Sequence, residues 1–175
     1  MIFMWRYIFD LDNTLFYTDN LNNLSYNYAL KRVGLEEING KYRITREVIK
    51  EKYPDLSEKT KNKIIKIKQQ YFKENLEKIE LNIELLNKLK DLEEEKCILW
   101  TSADKERAIS ILKYYGILGK FKNKLFSKKN NIKKDIDKIC QIFKCKKEEL
   151  YFYEDDINII NKLKILNLKI DIQPK

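Results

Sequence analysis

Five short apolar runs, most of them separated by helical patterns, limit the fold of this chain more than any other feature. They are Arg6-Tyr7-Ile8-Phe9, Cys97-Ile98-Leu99-Trp100, Lys124-Leu125-Phe126, Leu150-Tyr151-Phe152-Tyr153 and a last run from Leu168 to Ile172. Each has the length and composition of a buried strand. The intervening helical periods are marked first by Leu85, Leu86, Leu89 and Leu92, then by residues 104 to 115 up to Gly116. A third spans residues 132 to 143, with Ile136, Ile139 and either Ile142 or Phe143 inward, and a fourth passes through Ile160, Leu163 and Leu166. Strands separated by helices predict an α/β fold: a Rossmann-like parallel sheet with helices on both faces. Residues 18 to 80 break the rhythm and read as almost entirely helical. Gly34 stops one helix there, Thr45 caps a second, and Ser57 caps a long third. A chain of 175 residues then divides into a core, 1–17 with 81–175, and a small helical insertion, 18–80.

In parallel sheets ligands bind beyond the carboxyl ends of the strands, and three strand ends here carry reactive side chains. They are Asp10 and Asp12, Thr101 and Ser102, and Asp155 and Asp156. Asp10 and Asp12 stand one residue apart, so an extended backbone points both to one side. Like charges held close raise one another's pKa. A divalent cation removes that conflict, and the two acids can then act as nucleophile and proton carrier. The chain contains no histidine, which excludes His-based triads and His-ligated metals. Three cysteines, Cys97, Cys140 and Cys145, support neither a disulfide framework nor a zinc cluster.

The formal charge of +9 comes from lysines scattered along the whole length. That distribution fits solvated helix faces better than a nucleic-acid surface, though it favours anionic, phosphate-bearing substrates. No run is long and apolar enough to span a bilayer, and the first residues lack the features of a signal peptide. The expected location is cytoplasmic, with no membrane partner, as a monomer or weak dimer.

The motifs, in their order, resemble those of the haloacid dehalogenase-like hydrolase superfamily. Asp10-Leu11-Asp12-Asn13-Thr14-Leu15 is similar to the first motif, Ile98-Leu99-Trp100-Thr101 to the second, and Tyr151-Phe152-Tyr153-Glu154-Asp155-Asp156 to the fourth. The third is a lysine ahead of the last acidic strand. Lys133 or Lys134, at a helix start, is favoured there over Lys129. The resemblance implies that Asp10 is the nucleophile and Asp12 the general acid and base. It implies that Thr101 binds a phosphoryl oxygen while the lysine neutralises charge. Mg2+ would be held by Asp10, Asp12 through its backbone carbonyl, and Asp155, with Asp156 behind or exchanged with it. Glu154 stands where the family usually has glycine, and Ile159 where it usually has a further acid.

Residues 18–80 would then be a cap that selects substrate. The implied activity is a Mg2+-dependent phosphatase of a small phosphorylated metabolite, such as a sugar phosphate, phosphoglycolate or a nucleoside monophosphate, working through an aspartyl-phosphate. A phosphomutase, a nucleic-acid end-processing phosphatase and a non-catalytic binding module are the alternatives.

Overall fold

A computed structural model describes residues 4–174. Along the chain run β1 (Arg6–Phe9), β2 (Phe16–Tyr17), α1 (Asp19–Arg32), α2 (Arg46–Lys52), α3 (Glu58–Glu74), β3 (Glu80–Leu81) and α4 (Ile83–Asp91). They are followed by β4 (Cys97–Thr101), α5 (Lys105–Tyr114), β5 (Asn123–Phe126), α6 (Ile132–Phe143), β6 (Leu150–Glu154), α7 (Ile157–Ile165) and β7 (Lys169–Ile172). Two compact units result: Met1–Tyr17 with Leu81–Lys175, and Thr18–Glu80.

The first unit is built on a five-stranded sheet of order β5-β4-β1-β6-β7, while β2 and β3 pair with each other. Every pairing in the five-stranded sheet is parallel. Side chains alternate across each strand, so one face collects Ile8, Ile98, Trp100, Leu150 and Phe152. Against it pack Ile132, Ile136 and Ile139 of α6 with Ile159 and Leu163 of α7. Phe143 joins this cluster, whereas Ile142 is exposed. On the other face Phe9 stacks on Tyr153 at 4.6 Å between ring centroids. The Lys88 ammonium of α4 lies 5.5 Å above the Tyr153 ring. Helices therefore cover both faces of the sheet.

The second unit packs Tyr26, Ala29, Leu30, Ile38, Ile44, Ile49 and Ile64 into a core of its own. Local signals set its helices. The Thr45 hydroxyl accepts the Val48 N–H, and the Ser57 hydroxyl accepts that of Thr60. After α1 the chain reverses at Gly34, where φ is +78°, a value strained for any residue with a Cβ. Residues 33–45 form a non-helical connection between the stop at Gly34 and the cap at Thr45. Asparagines of α1 hold that loop, because they bond its backbone as a strand partner would. Asn22 donates to the Ile44 carbonyl at 2.9 Å, and Asn23 accepts the Ile44 N–H at 2.8 Å. Asn27 both donates to the Ile38 carbonyl (3.1 Å) and accepts its N–H (2.9 Å). Among the described residues no helix is long and apolar enough to cross a membrane.

Candidate active site

Because β4, β1 and β6 are adjacent and parallel, their carboxyl ends share one edge of the sheet. Phe9 is in register with Leu99 and Tyr153, so the next residues, Asp10 and Glu154, lie side by side. The Asp10 N–H continues the ladder to the Tyr153 carbonyl at 3.1 Å. Beyond Asp10 the backbone turns sharply. The Leu11 carbonyl accepts N–H groups of Leu15 (3.1 Å) and Phe16 (3.2 Å), and Asn13 adopts φ 59°, a left-handed conformation asparagine tolerates. Leu11 and Leu15 anchor the turn in the core. The turn brings the Thr14 hydroxyl back to 3.3 Å from Asp10 Oδ2 and 3.2 Å from Asp155 Oδ1.

The lysine at Asp10 is Lys129. Its Nζ donates to Asp10 Oδ1 and Glu154 Oε2, both at 2.7 Å, and lies 4.4 Å from the centroid of the Trp100 ring. It is 5% exposed. The β5–α6 loop presents it through a left-handed backbone, φ 55°. Its own N–H donates to the Ser127 hydroxyl at 3.0 Å, which in turn donates to Asp135 at 2.5 Å. Asp135 also accepts the Trp100 indole N–H at 3.0 Å, so the ring under the ammonium and the loop carrying it share one carboxylate. Lys133 and Lys134 are exposed on α6, and no contact joins either to Asp10. Asp135 and Ile136 supply the buried side of that helix. Helix position favours Lys133 or Lys134, whereas the structure brings Lys129 to Asp10.

The remaining acids divide clearly. Asp10, Glu154 and Asp155 each offer a carboxylate oxygen, all within 4.8 Å of one another. Asp156 is exposed and caps α7, accepting the N–H groups of Asn158 (2.8 Å) and Ile159 (3.4 Å). Glu154, read from sequence only as a replacement for glycine, is buried and accepts the backbone N–H groups of Asp155 and Asp156. Thr101 is buried, and its hydroxyl accepts the Ala103 N–H at 3.1 Å. Asp12 is gripped by Arg107 of α5, whose Nη1 donates to Oδ1 at 2.8 Å while Nη2 donates to Oδ2. Nothing in the sequence singled out Arg107, which reads there as an ordinary cation in the first turns of a helix.

Electrostatics tie the cluster together. Burial, with Glu154 and Asp12 adding to it, pushes the Asp10 carboxyl up to about 7 against the pull of Lys129. Burial also raises Glu154, again opposed by Lys129. Burial works against the Lys129 charge, but the two carboxylates outweigh it and hold the ammonium above its usual range. Three carboxylates around one ammonium leave an excess of two negative charges. An all-oxygen donor set with that excess fits a hard divalent cation such as Mg2+.

The family comparison agrees with this geometry. Residues 7–170 match the model of the haloacid dehalogenase-like hydrolase family, and the chain belongs to that family. A comparison with curated protein sequences finds no match. Among solved structures, the chain is similar to a "predicted phosphoglycolate phosphatase" from Haemophilus somnus, with TM-score 0.79 and 21% identity over 97% of this chain and 85% of that one. It is similar to a "putative beta-phosphoglucomutase" from Thermotoga maritima, with TM-score 0.75 and 18% identity over 95% and 84%. A third is a HAD-superfamily hydrolase, subfamily IA, from Geobacter sulfurreducens, with TM-score 0.72 and 13% identity over 95% and 85%. At these identities the likeness is one of fold.

Proposed function

We propose that this chain is a Mg2+-dependent phosphatase of a small phosphorylated metabolite, working through an aspartyl-phosphate on Asp10. The observation that carries this reading is the setting of Asp10. It is a buried carboxylate at the end of the central strand, with Lys129 on one oxygen, Thr14 by the other, and Glu154 and Asp155 beside it.

In this reading an Asp10 oxygen attacks phosphorus, forming an Asp–O–P bond as the ester P–O bond breaks. Asp12 gives its proton to the departing ester oxygen. Water then attacks the same phosphorus, the Asp–O–P bond breaks, and Asp12 takes the proton the water loses. Asp10 is thereby restored as a carboxylate and Asp12 as an acid. Lys129 favours the ionised form of Asp10 and offsets charge on the transferring group, and the Thr101 hydroxyl donates to a phosphoryl oxygen. Asp10 and Asp155 would hold the Mg2+, with Glu154 and the Asp12 carbonyl as further oxygen donors, and the bound ion supplies charge neutralisation at the phosphoryl oxygens. The helical insertion 18–80 acts as the substrate-selecting cap. A phosphomutase would share the first half of this sequence and pass the phosphoryl group to a sugar hydroxyl instead of water.

Purified protein with Mg2+ should hydrolyse p-nitrophenyl phosphate, and Asp10→Asn should abolish turnover while leaving circular dichroism unchanged. Mass spectrometry of the acid-quenched reaction should find phosphate on Asp10. Turnover that survives Asp10→Asn, or that is undiminished in excess chelator, would refute the scheme. Transfer to a sugar hydroxyl in preference to water would select the mutase.

A further inference from the structure

Charge draws the Lys129 ammonium to Asp10 and Glu154, but charge alone does not hold it in place through a reaction. The ammonium is a compact charge on a flexible four-carbon stem. Once an Asp10 oxygen is bonded to phosphorus, that carboxylate no longer carries the charge that balances it. Two other supports remain. The Trp100 ring, 1% exposed, lies with its centroid 4.4 Å from Nζ. The Lys129 backbone is left-handed, φ 55°, a conformation that persists in a residue with a Cβ where its surroundings fix it. Its N–H donates to the Ser127 hydroxyl at 3.0 Å, and the Ser127 N–H donates to the Thr101 carbonyl at 2.9 Å. Both supports end on a single oxygen. Asp135 Oδ2 accepts the Trp100 indole N–H at 3.0 Å and the Ser127 hydroxyl at 2.5 Å. A hydroxyl has one hydrogen, so giving it to Asp135 leaves a lone pair for the Lys129 N–H.

Resting on the phosphatase reading above, we propose that Asp135 is a positioning residue for phosphoryl transfer, which acts on Lys129 through Ser127 and Trp100. Through Ser127 it fixes the loop that carries the lysine and ties that loop to Thr101. Through the indole N–H it fixes the ring beneath the ammonium. Asp135 does this by hydrogen-bond geometry and not by its charge. Its two donors share one oxygen, and an amide oxygen, with two lone pairs, can take both. Asparagine at this position can therefore do the same work, and leucine, of similar size, cannot. Loss of the network acts on kcat and spares KM, because Lys129 offsets charge that develops as the Asp10–phosphorus bond forms and breaks.

The test measures hydrolysis of p-nitrophenyl phosphate at saturating Mg2+, and thermal unfolding without metal, in single variants and in pairs with Lys129→Met. Ser127→Ala and Asp135→Leu should each lower kcat by about tenfold, the equivalent of one lost hydrogen bond in the transition state. KM should stay within about threefold, and Asp135→Asn should keep both constants within about threefold of wild type. In an enzyme that already carries Lys129→Met, adding Ser127→Ala should change kcat by less than about twofold, since its effect passes through the lysine. A general structural defect would lower kcat by the same factor in both backgrounds, and that result overturns the proposal. So does an Asp135→Asn enzyme that falls as far as Asp135→Leu. If Asp135→Leu fails to fold, the Ser127→Ala pair decides. An inactive wild type refutes the phosphatase reading, and unfolding then tests the link from Ser127 to Lys129 by itself. The Tm loss of the Ser127→Ala, Lys129→Met double variant should be smaller than the sum of the single losses. Losses that simply add overturn the proposal with or without turnover.

Discussion

Replacing Lys129 with methionine keeps the length of the stem and deletes one buried charge. In the wild type that charge sits 2.7 Å from both Asp10 and Glu154 at 5% exposure, and over the Trp100 ring. Removing one partner of a buried ion pair costs about 3–5 kcal/mol, because the other charge is left uncompensated. Loss of the cation–π contact adds on the order of 1 kcal/mol. Protonation of Asp10 limits the total, since its carboxyl already stands at about 7 with Lys129 in place and rises further without it. A net loss of about 3 kcal/mol at neutral pH follows, or a drop of about 6–12 °C in Tm for a chain of this size.

The sign of the pH dependence is fixed by the same shift. A carboxyl raised from 3.8 to about 7 binds more protons folded than unfolded across that window, so its contribution to stability falls as pH rises through it. In Lys129→Met the window extends upward, and the deficit against wild type should be larger near pH 8 than near about pH 5. Thermal unfolding by circular dichroism in chelator measures it. Added Mg2+ should then stabilise the variant more than the wild type, because the carboxylate excess has grown by one charge. Lys133→Met and Lys134→Met, exposed on α6, should stay within about 0.5 kcal/mol of wild type. A Tm loss below about 2 °C for Lys129→Met, a loss independent of pH, or an equal loss for either control would refute the reasoning.

Two further outcomes separate neighbouring residues by role. Asp156→Ala should cost about 1 kcal/mol through loss of the α7 cap and leave Mg2+ affinity unchanged. Asp155→Asn should weaken Mg2+ binding in titration calorimetry by at least about tenfold with little effect on the metal-free Tm. In the helical unit, Asn27→Ala removes both bonds to the Ile38 backbone and should destabilise by about 1–3 kcal/mol. Hydrogen exchange at Ile38 and Ile44 should accelerate in that variant, and unchanged protection would mean the asparagines do not hold the loop.

Which parts of this molecule can be read from sequence depends on the range of the interaction that fixes them. β1 and α6 occupy the residues their apolar periods indicate, and Thr45, Ser57, Gly34 and Gly116 act where their local chemistry places them, because caps and periods are settled within a turn or two. Gly34 and Thr45 bound the loop between them, but what holds it was not legible, because its partners are asparagines some 11 to 22 residues away that look, in sequence, like indifferent helix positions. Asp156 could have been separated from Asp155: an acid two residues before the first free N–H groups of a helix is a cap by position alone. The lysine that reaches Asp10 could not. In a chain with 36 Lys and Arg, helix position carries little information. What selects Lys129 is a left-handed residue, a serine hydroxyl and an indole all tied to Asp135.

Glu154 and Lys129 explain each other in the same way. A glutamate in place of glycine looks like a departure until register sets it beside Asp10, and it then supplies the second carboxylate that makes a buried ammonium tolerable. Arg107 and Asp12 form a second such pair across the loop from the first. The acids of the first motif declare themselves early in the chain, but each is matched to its cation only by strands and helices about a hundred residues later. In the proposed reaction Lys129 favours the ionised form of the carboxylate that attacks. Removing Lys129 should therefore lower kcat on every ester, and a Lys129→Met enzyme with undiminished kcat would refute that role.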